Sequence, residues 1–294
     1  MKSLTFIKDF KKNPTLRHSF NDLATQIFGI NFEEWYQKGF WNDRYIPFSY
    51  VEEDKVIANV SVNILDMVVQ GEVKNVIQIG TVMTHPHYRN QGLSTSLMNK
   101  VLQEYEDKCD FFYLFANQDV LEFYPKFGFE TVNEYQYSMQ SSSTQTISQH
   151  DIQKLDGKNP DDLNFISRFA SERVPTSNYF STINAQGLLM FYCIYVFNDH
   201  IYYLKDEDII IIYEQKGNKI DIYDIISKND VQIHKIINKI TNGSDLNIVF
   251  HYTPNFNEIN TKCDNFAGDD VLFVKPSHNN QFPSSIKHPL TSKA

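Results

Sequence analysis

A polar segment near residue 90 carries the residue types that bind a phosphate-bearing ligand. An apolar stretch that reaches residue 84 is followed by a turn with Arg89 and Gly92, and then at once by a helical pattern. The first backbone N–H groups of a helix have no partner inside the helix and lie at the positive end of its dipole. They form an anion site that suits a pyrophosphate. Gly92 would let the backbone approach the phosphates, and Arg89 would add a charged donor.

The elements that must position this segment follow an α/β pattern. Two apolar runs, 56–69 and 73–83, predict a hairpin of long strands, and the spacing of Leu and Val predicts a helix over 92–105. The other elements predicted in this half are helices over 14–28, 32–38 and 120–127 and strands over 48–51, 111–116 and 130–139. This order describes an α/β domain with a mixed sheet, partly antiparallel and partly parallel.

A segment rich in Ser, Thr and Gln, residues 141–150, predicts a linker between two domains. We expect the first domain over 1–140 and, over 151–294, a smaller domain that is a degenerate repeat of it. Its predicted elements are helices over 161–174 and 231–240 and strands over 192–197, 201–205, 209–214, 219–226, 246–252 and 271–274. The connection before its second helix lacks Gly and Arg, and Asp230 at the helix start would repel a pyrophosphate, so we expect one ligand per chain.

Composition narrows the class of protein. A length of 294 residues favours two domains, and a net charge of −9 disfavours a nucleic-acid partner. The sequence shows no secretory signal and no run of membrane-spanning length, which predicts a cytoplasmic protein without a membrane partner. Cys109, Cys193 and Cys263 form no CxxC pair, so neither a disulfide framework nor a zinc site is expected. A homo-oligomer is left open.

The segment Arg89-Asn90-Gln91-Gly92-Leu93-Ser94 resembles the phosphate loop of the GNAT superfamily of N-acetyltransferases. That loop has Arg or Gln, two residues, Gly, one residue, and Gly or Ala, so Ser94 departs from the pattern at its last position. The resemblance implies the acyl-CoA N-acyltransferase fold, acetyl-CoA as cosubstrate, and pairing of its pantetheine arm with a splayed central strand. The residues implied to bind the cosubstrate are Val82, Met83, Thr84, Arg89, Asn90, Gln91, Gly92, Leu93, Ser94, Thr95 and Asn117.

A second motif of the same family lies about thirty residues further along the chain. An Asn stands seven residues before a Tyr on the helix after the next strand, and that helix ends at a Gly-Phe; Asn117, Tyr124 and Gly128-Phe129 match these spacings. When an amine attacks a thioester a thiolate leaves, and a nearby hydroxyl protonates it. The resemblance therefore implies that Tyr124 is the general acid, while strand N–H groups, that of Val82 among them, hold the oxyanion. Packing of Tyr124 in the core is the alternative.

The general base has several candidates. Asp66, Glu72 and a water chain are each compatible with the sequence, and an amine of lowered pKa would need only water. A resemblance to the enhanced-intracellular-survival acetyltransferases, which have tandem domains, suggests a terminal carboxylate at Ala294. His85 and His87 flank Pro86 without a third ligand, so no metal site is expected.

The acceptor pocket has two groups of candidate lining residues. Trp41, Tyr45 and Phe48 form the first, for which a packed loop is the alternative; an aromatic run in the second half forms the other, with core packing as its alternative. The members of that run are Phe191, Tyr192, Tyr195, Phe197, Tyr202 and Tyr203.

These patterns predict an N-acetyltransferase that moves an acetyl group from acetyl-CoA directly to a primary amine. The sequence does not identify the amine. Two alternatives are an acyl-CoA-binding sensor without turnover, and an interaction module in which the phosphate loop is vestigial.

Overall fold

A computed structural model describes residues 4–141, 151–242, 244–256, 259–278 and 280–294. Nearly all of the predicted linker, residues 142–150, lies outside these ranges. The helices are α1 (Pro14–Phe28), α2 (Glu33–Gln37), α3 (Leu93–Tyr105), α4 (Pro160–Ala170), α5 (Gln186–Tyr195) and α6 (Ile233–Thr241). In the described ranges, no helix has the length and apolar character needed to cross a membrane.

The strands divide between two mixed sheets. Those of the first sheet are β1 (Thr5–Lys8), β2 (Tyr45–Glu52), β3 (Lys55–Val69), β4 (Glu72–Thr84), β5 (Phe111–Asn117), β6 (Glu130–Val132), β9 (Phe180–Ile183) and β15 (Asp270–Pro276). Those of the second are β7 (Tyr135–Gln140), β8 (Ile152–Leu155), β10 (Ile201–Leu204), β11 (Ile209–Lys216), β12 (Lys219–Ser227), β13 (Asn247–Phe250) and β14 (Lys262–Asn265).

The two sheets have the same topology. The first has the order β1-β2-β3-β4-β5-β15-β6, with β9 added beside β3, and the second, taken from its other edge, has the order β8-β10-β11-β12-β13-β7-β14. In each sheet one central pair is parallel, β4 with β5 and β12 with β13, and in each the connection between that pair contains a helix. The loose repetition expected from the sequence is therefore present in the strand order.

The sheets exchange strands across the predicted domain boundary. Strand β7 precedes residue 141 but pairs with β13 and β14 in the second sheet. Strand β15, near the end of the chain, pairs with β5 and β6 in the first sheet, and β9 pairs with β3. The domain limits 1–140 and 151–294 remain a prediction, and neither sheet is made from one side of residue 141 alone.

Local sequence explains the helices that flank the first sheet. The Asn13 side chain accepts a hydrogen bond from the Leu16 N–H at the start of α1, Pro14 occupies the first turn, and Gly29 ends the helix with φ of 71°. Helix α3 buries Leu97, Met98 and the rest of one face against the sheet. Fully burying an aliphatic side chain of this size contributes about 1.5–3 kcal/mol, which fixes the α3 N-terminus relative to β4.

Three predicted elements are wrong. Of residues 192–197, expected as a strand, 192–195 form the end of helix α5 and 196–197 follow it; α5 packs with α2 and α4 in an aromatic core. Residues 120–127, expected as a helix, contain only the end of one 3₁₀ turn and a second 3₁₀ turn over Tyr124–Phe127. The single strand expected over 130–139 is split between β6 in one sheet and β7 in the other.

Candidate functional site

The site lies where the parallel strands β4 and β5 separate. They pair from Val76 with Phe111 to Ile79 with Leu114, and no pairing joins them beyond that point. Strand β4 continues to Thr84 and strand β5 to Asn117. On this side, the main-chain groups of β4 from Gly80 onward therefore face a cleft instead of a neighbouring strand.

A bulge in β4 shapes this edge. The register with β3 shifts between Asn59 and Ser61, and Thr81 has φ of 48°. The buried Asn59 side chain donates to the Thr81 carbonyl at 2.9 Å and is itself held by the hydroxyls of Ser49 and Ser61. A polar network inside the first sheet thus fixes the direction in which the following residues present their N–H groups.

The predicted phosphate loop joins β4 to helix α3. Asn90 and Gly92 have left-handed backbone conformations, with φ of 61° and 76°, and no side chain caps the helix. A Cβ at Gly92 would meet no atom within 4 Å, so that flank of the loop is open. The first N–H groups of α3 have no side-chain cap, and the anion site that the sequence predicts at them stays a prediction. The exposed Arg89 lies on the same loop.

The departure at Ser94 is explained by its partner. The Ser94 Oγ lies 2.7 Å from the Thr84 Oγ1, at the end of β4. The hydroxyl is therefore bonded to the strand, and it links the start of the helix to the residue where β4 ends.

A cavity of about 920 Å³ runs along the cleft. With the exception of Gln91, every residue that the sequence analysis assigned to cosubstrate binding lines it, together with Tyr124. Those residues are Val82, Met83, Thr84, Arg89, Asn90, Gly92, Leu93, Ser94, Thr95 and Asn117. The structure thus brings the two sequence motifs to one cavity, although β5 separates them along the chain.

Tyr124 is held by packing. Its ring lies 5.7 Å from the Phe273 ring and 6.4 Å from the Phe129 ring, and 5% of the residue is exposed. No described residue hydrogen-bonds its hydroxyl. Burial raises the pKa of Tyr124 to about 12, so the group keeps its proton at neutral pH. A buried, protonated hydroxyl without a protein acceptor is suited to give its proton to a ligand.

Asn117 has a local structural role besides lining the cavity. Its side-chain Oδ1 accepts from the Asp119 N–H at 3.2 Å and caps the first 3₁₀ turn after β5. The turn begins the segment that leads to Tyr124, so Asn117 helps to set the direction of the chain toward the tyrosine.

One part of the cavity is aromatic, and only some of its residues were predicted as lining an acceptor pocket. Tyr45 lines it and places its hydroxyl 2.9 Å from the Thr81 Oγ1, but Trp41 and Phe48 pack in the core behind it. From the second-half run, Phe191 and Tyr192 line the cavity and the other four members do not. The sequence analysis did not assign the lining residues Ile27, Phe28, Ile30, Phe32, Trp35 and Leu188 to the pocket.

Lys293 and Ala294 lie at the wall of the cavity. Ala294 approaches Gly80 so closely that a Cβ on Gly80 would lie 3.2 Å from the Ala294 Cβ. The Lys293 carbonyl accepts from the Tyr192 hydroxyl at 2.9 Å, and the Lys293 Nζ lies 2.5 Å from the Asp270 Oδ2. Residues 293 and 294 both line the cavity.

The tail is anchored in the second sheet. The Leu290 N–H donates to the His251 carbonyl at 3.1 Å, and the Thr291 hydroxyl donates to Asp224 at 2.6 Å. Asp224 is 3% exposed, and its two carboxylate oxygens accept hydrogen bonds from the two terminal nitrogens of Arg173, at 2.9 and 2.7 Å. A bidentate pair of this kind is a rigid anchor, and it fixes the tail a few residues before Ala294.

The candidate bases differ in position. Neither Asp66 nor Glu72 lines the cavity: Asp66 is bonded by Asn184 and lies 3.7 Å from Arg44, and Glu72 forms an exposed ion pair with Lys74. Ala294 is the candidate whose main chain reaches the cavity wall. In the described ranges, no three His, Cys, Asp or Glu side chains are grouped as a metal would require.

Comparisons with known proteins agree with this geometry. The profile of the family described as "Acetyltransferase (GNAT) domain" matches residues 12–132. A search of curated protein sequences finds no match.

Among solved structures, the chain is similar to a "Probable N-Acyltransferase" from Enterococcus faecalis, with TM-score 0.61 and 13% identity over 94% of this chain and 72% of that one. It is also similar to an Eis protein of Mycobacterium abscessus (TM-score 0.58, 14% identity, 94% and 73%). A GCN5-related N-acetyltransferase of Kribbella flavida gives TM-score 0.56 and 16% identity over 93% and 72%. At these identities the likeness concerns the fold. The profile match identifies residues 12–132 with an acetyltransferase domain of the GNAT superfamily, and the fold with its splayed strands β4 and β5 agrees with that match.

Proposed function

We propose that the chain transfers an acetyl group from acetyl-CoA directly to a primary amine. The observation that carries this proposal is the open separation of β4 and β5, which has the uncapped start of α3 at one end and the Tyr124 hydroxyl on its wall. The pyrophosphate would lie against the N–H groups that follow Arg89, and the pantetheine arm would pair with Val82, Met83 and Thr84.

The roles of the side chains follow from the proton transfers that the reaction requires. The amine nitrogen attacks the thioester carbon, its bond to that carbon forms, and the carbon–sulfur bond breaks. The β4 N–H groups near Val82 stabilise the negative oxygen, and Tyr124 donates its proton to the leaving thiolate. The nitrogen must lose one proton, so the products are the amide and CoA with a free thiol.

The group that accepts that proton is proposed from position. In a chain that ends at Ala294, this residue carries a carboxylate beside Gly80, in the wall of the acceptor end. We propose that carboxylate as the base. Intact mass of the purified protein establishes whether Ala294 is the last residue. Addition of Gly-Ser after it should then lower kcat about tenfold or more without weakening acetyl-CoA binding. An unchanged kcat would assign the base to water.

The proposal is tested by CoA binding and thiol release. Calorimetry with acetyl-CoA should give one site per chain, and a panel of amines should release CoA thiol with stoichiometric amide detected by mass spectrometry. Binding without thiol release from any amine would support the sensor instead. No binding at all would leave the loop without a function in CoA recognition. The cytoplasmic location stays a prediction from the sequence.

A further inference from the structure

The chemistry of the acceptor end points to the class of amine that it takes; this inference rests on the proposed function. We propose that the acceptor is a primary amine with a single positive charge and an aromatic or bulky apolar body. The argument uses the walls of the cavity and the balance of its charged side chains.

The walls form one continuous aromatic surface. The Phe32 ring stacks on Tyr45 at 5.9 Å and lies 5.6 Å from Phe191, which in turn lies 5.9 Å from Tyr192. Trp35 packs edge-on against Tyr45 at 5.4 Å. All five line the cavity, and Tyr45 connects them to the β4 bulge through Thr81. An amine held at the bulge would therefore place its body against these rings.

The aromatic rings are fixed by hydrogen bonds. The Trp35 Nε1 donates to the Gly187 carbonyl at 2.8 Å, and the Trp35 backbone N–H donates to the Tyr195 hydroxyl at 3.1 Å. Since Trp35 comes from the first half and its two acceptors from α5, the pocket is a rigid joint between the halves. A preformed apolar pocket binds a ring without the cost of ordering its own side chains.

At the aromatic walls, the carboxylate side chain that lines the cavity, Asp270, is already paired with Lys293. The charged side chains lining the cavity are Arg89, Asp119, Asp270 and Lys293. Arg89 belongs to the phosphate loop and Asp119 to the turn after β5, so Asp270 and Lys293 remain. These two pair with each other, and the Lys293 Nζ also lies 4.5 Å from the Phe115 ring centre. At the aromatic walls a polyamine would place its extra charges against rings and a carboxylate that Lys293 already neutralises, which is costly.

The same environment assists the reaction. Apolar walls disfavour the charged ammonium form, so the pKa of a bound amine falls and more of it is the neutral nucleophile. A ring that fills the pocket excludes water and strengthens this effect. The walls therefore favour both binding and attack for the same class of amine.

The test compares three probe amines, 2-phenylethylamine, ethylamine and spermidine, each with acetyl-CoA. We expect kcat/KM for 2-phenylethylamine to exceed both others by about tenfold or more, because burial of its ring stabilises the bound amine. Phe191→Leu should lower that advantage several-fold, measured as the ratio of kcat/KM for 2-phenylethylamine to kcat/KM for ethylamine within the same variant. Phe165→Leu, a half-buried phenylalanine outside the cavity, is the matched control.

Failure of this inference is distinct from failure of the proposed function. If spermidine or ethylamine is acetylated as efficiently as 2-phenylethylamine, the acceptor class is wrong while acetyl transfer stands. If no amine is acetylated, calorimetry of 2-phenylethylamine with the CoA complex still tests the pocket. Binding that Phe191→Leu weakens would support the inference, and absence of binding would overturn it.

Discussion

The two sheets separate at equivalent places, but in the described part of the chain the first separation holds a cavity of about 920 Å³, whereas the second is occupied by the chain itself. Strands β12 and β13 pair from Lys219 with Asn247 to Ile222 with Phe250 and then part, as β4 and β5 do after Ile79. Strand β12 also has a bulge there, since the register with β11 shifts at Tyr213. Both sheets thus have a bulged strand and a parallel pair that separates. The difference between the two clefts must therefore come from their side chains and from the chain segments that enter them.

The residue after the last paired position differs most. In β4 it is Gly80, which leaves space, whereas in β12 it is Tyr223, whose ring stacks on Phe197 at 4.3 Å and lies 4.7 Å from the His251 ring. The segment Leu290–Ser292 occupies the second cleft, and a small cavity of about 20 Å³ lies there beside Asp224. The chain itself fills the second cleft, and the same tail continues to the wall of the first.

The helix starts differ as well. Helix α3 follows the left-handed Gly92 at the open cavity, while α6 begins at Ile233 after Gln232, and none of its residues lines the cavity. Asp230, expected at the start of α6, lies before the capping position and does not cap the helix. The expectation of one CoA per chain is therefore better supported by the filled second cleft than by the charge of Asp230.

The largest difference between the two clefts is expected when Gly92 is substituted. We expect Gly92→Val to reduce acetyl-CoA affinity roughly 100-fold or more, because a branched side chain is strained at φ of 76° and would project into the open flank of the loop. Gly217→Val is the control, since Gly217 has φ of 60° and equally open surroundings but belongs to the second sheet. Calorimetry on both folded variants measures the difference; equal affinities would remove the phosphate-loop assignment.

The next largest effect is expected at Tyr124. Tyr124→Phe should lower kcat about tenfold or more and leave acetyl-CoA affinity unchanged, because a proton donor acts mainly in the transition state. Tyr252→Phe is the matched control in the second half: Tyr252 follows β13, is buried, and its hydroxyl has no hydrogen-bond partner among the described residues. If Tyr124→Phe retains full kcat, Tyr124 serves packing only.

A smaller effect is expected when the contact between Thr291 and Asp224 in the second cleft is removed. Thr291→Val removes the hydrogen bond to Asp224 that anchors the tail, and we expect the KM for the amine to rise several-fold. The Kd of acetyl-CoA should stay the same, because the phosphate loop is untouched. Thr176→Val, which alters a neighbour of Arg173 without touching the tail, should leave both constants unchanged. Equal changes in the two variants would indicate general loosening.

The smallest expected change concerns pH. Since burial raises the pKa of Tyr124 to about 12, its hydroxyl stays protonated throughout the neutral and mildly alkaline range. With saturating substrates, kcat should show no decline from about pH 7 to about pH 10, because loss of the acid requires pH near its pKa. A pH–rate profile checks this. A decline in that range that Tyr124→Phe abolishes would show a lower pKa than the site implies.

The strand exchange also determines how the halves can be studied. A chain cut after residue 141 would lack β9 and β15, so in the first sheet β3 would lose its partner β9 and β5 its partner β15. Because its first sheet is incomplete, such a fragment cannot show whether the first half by itself binds CoA. Full-length variants of the paired residues are therefore the appropriate comparison.

The sequence alone determined the elements whose signals are local. Asn13-Pro14 and Gly29 set the limits of α1, and the hairpin of β3 and β4 and the Arg89–Gly92 turn before α3 were predicted because caps, alternation and turn residues act within a few positions. The grouping of Tyr124 with that loop followed from family spacing, and the structure places both at one cavity.

Only the tertiary structure decided the rest. Residues 192–197 are apolar and aromatic in a way that suits a strand or a buried helix, and packing against α2 selected the helix. Whether β7 and β15 join the first or the second sheet depends on partners more than 100 residues away, for which a short strand carries no local code. The approach of Ala294 to Gly80 depends in turn on that exchange and on the Asp224 anchor, so long-range pairing completes the site.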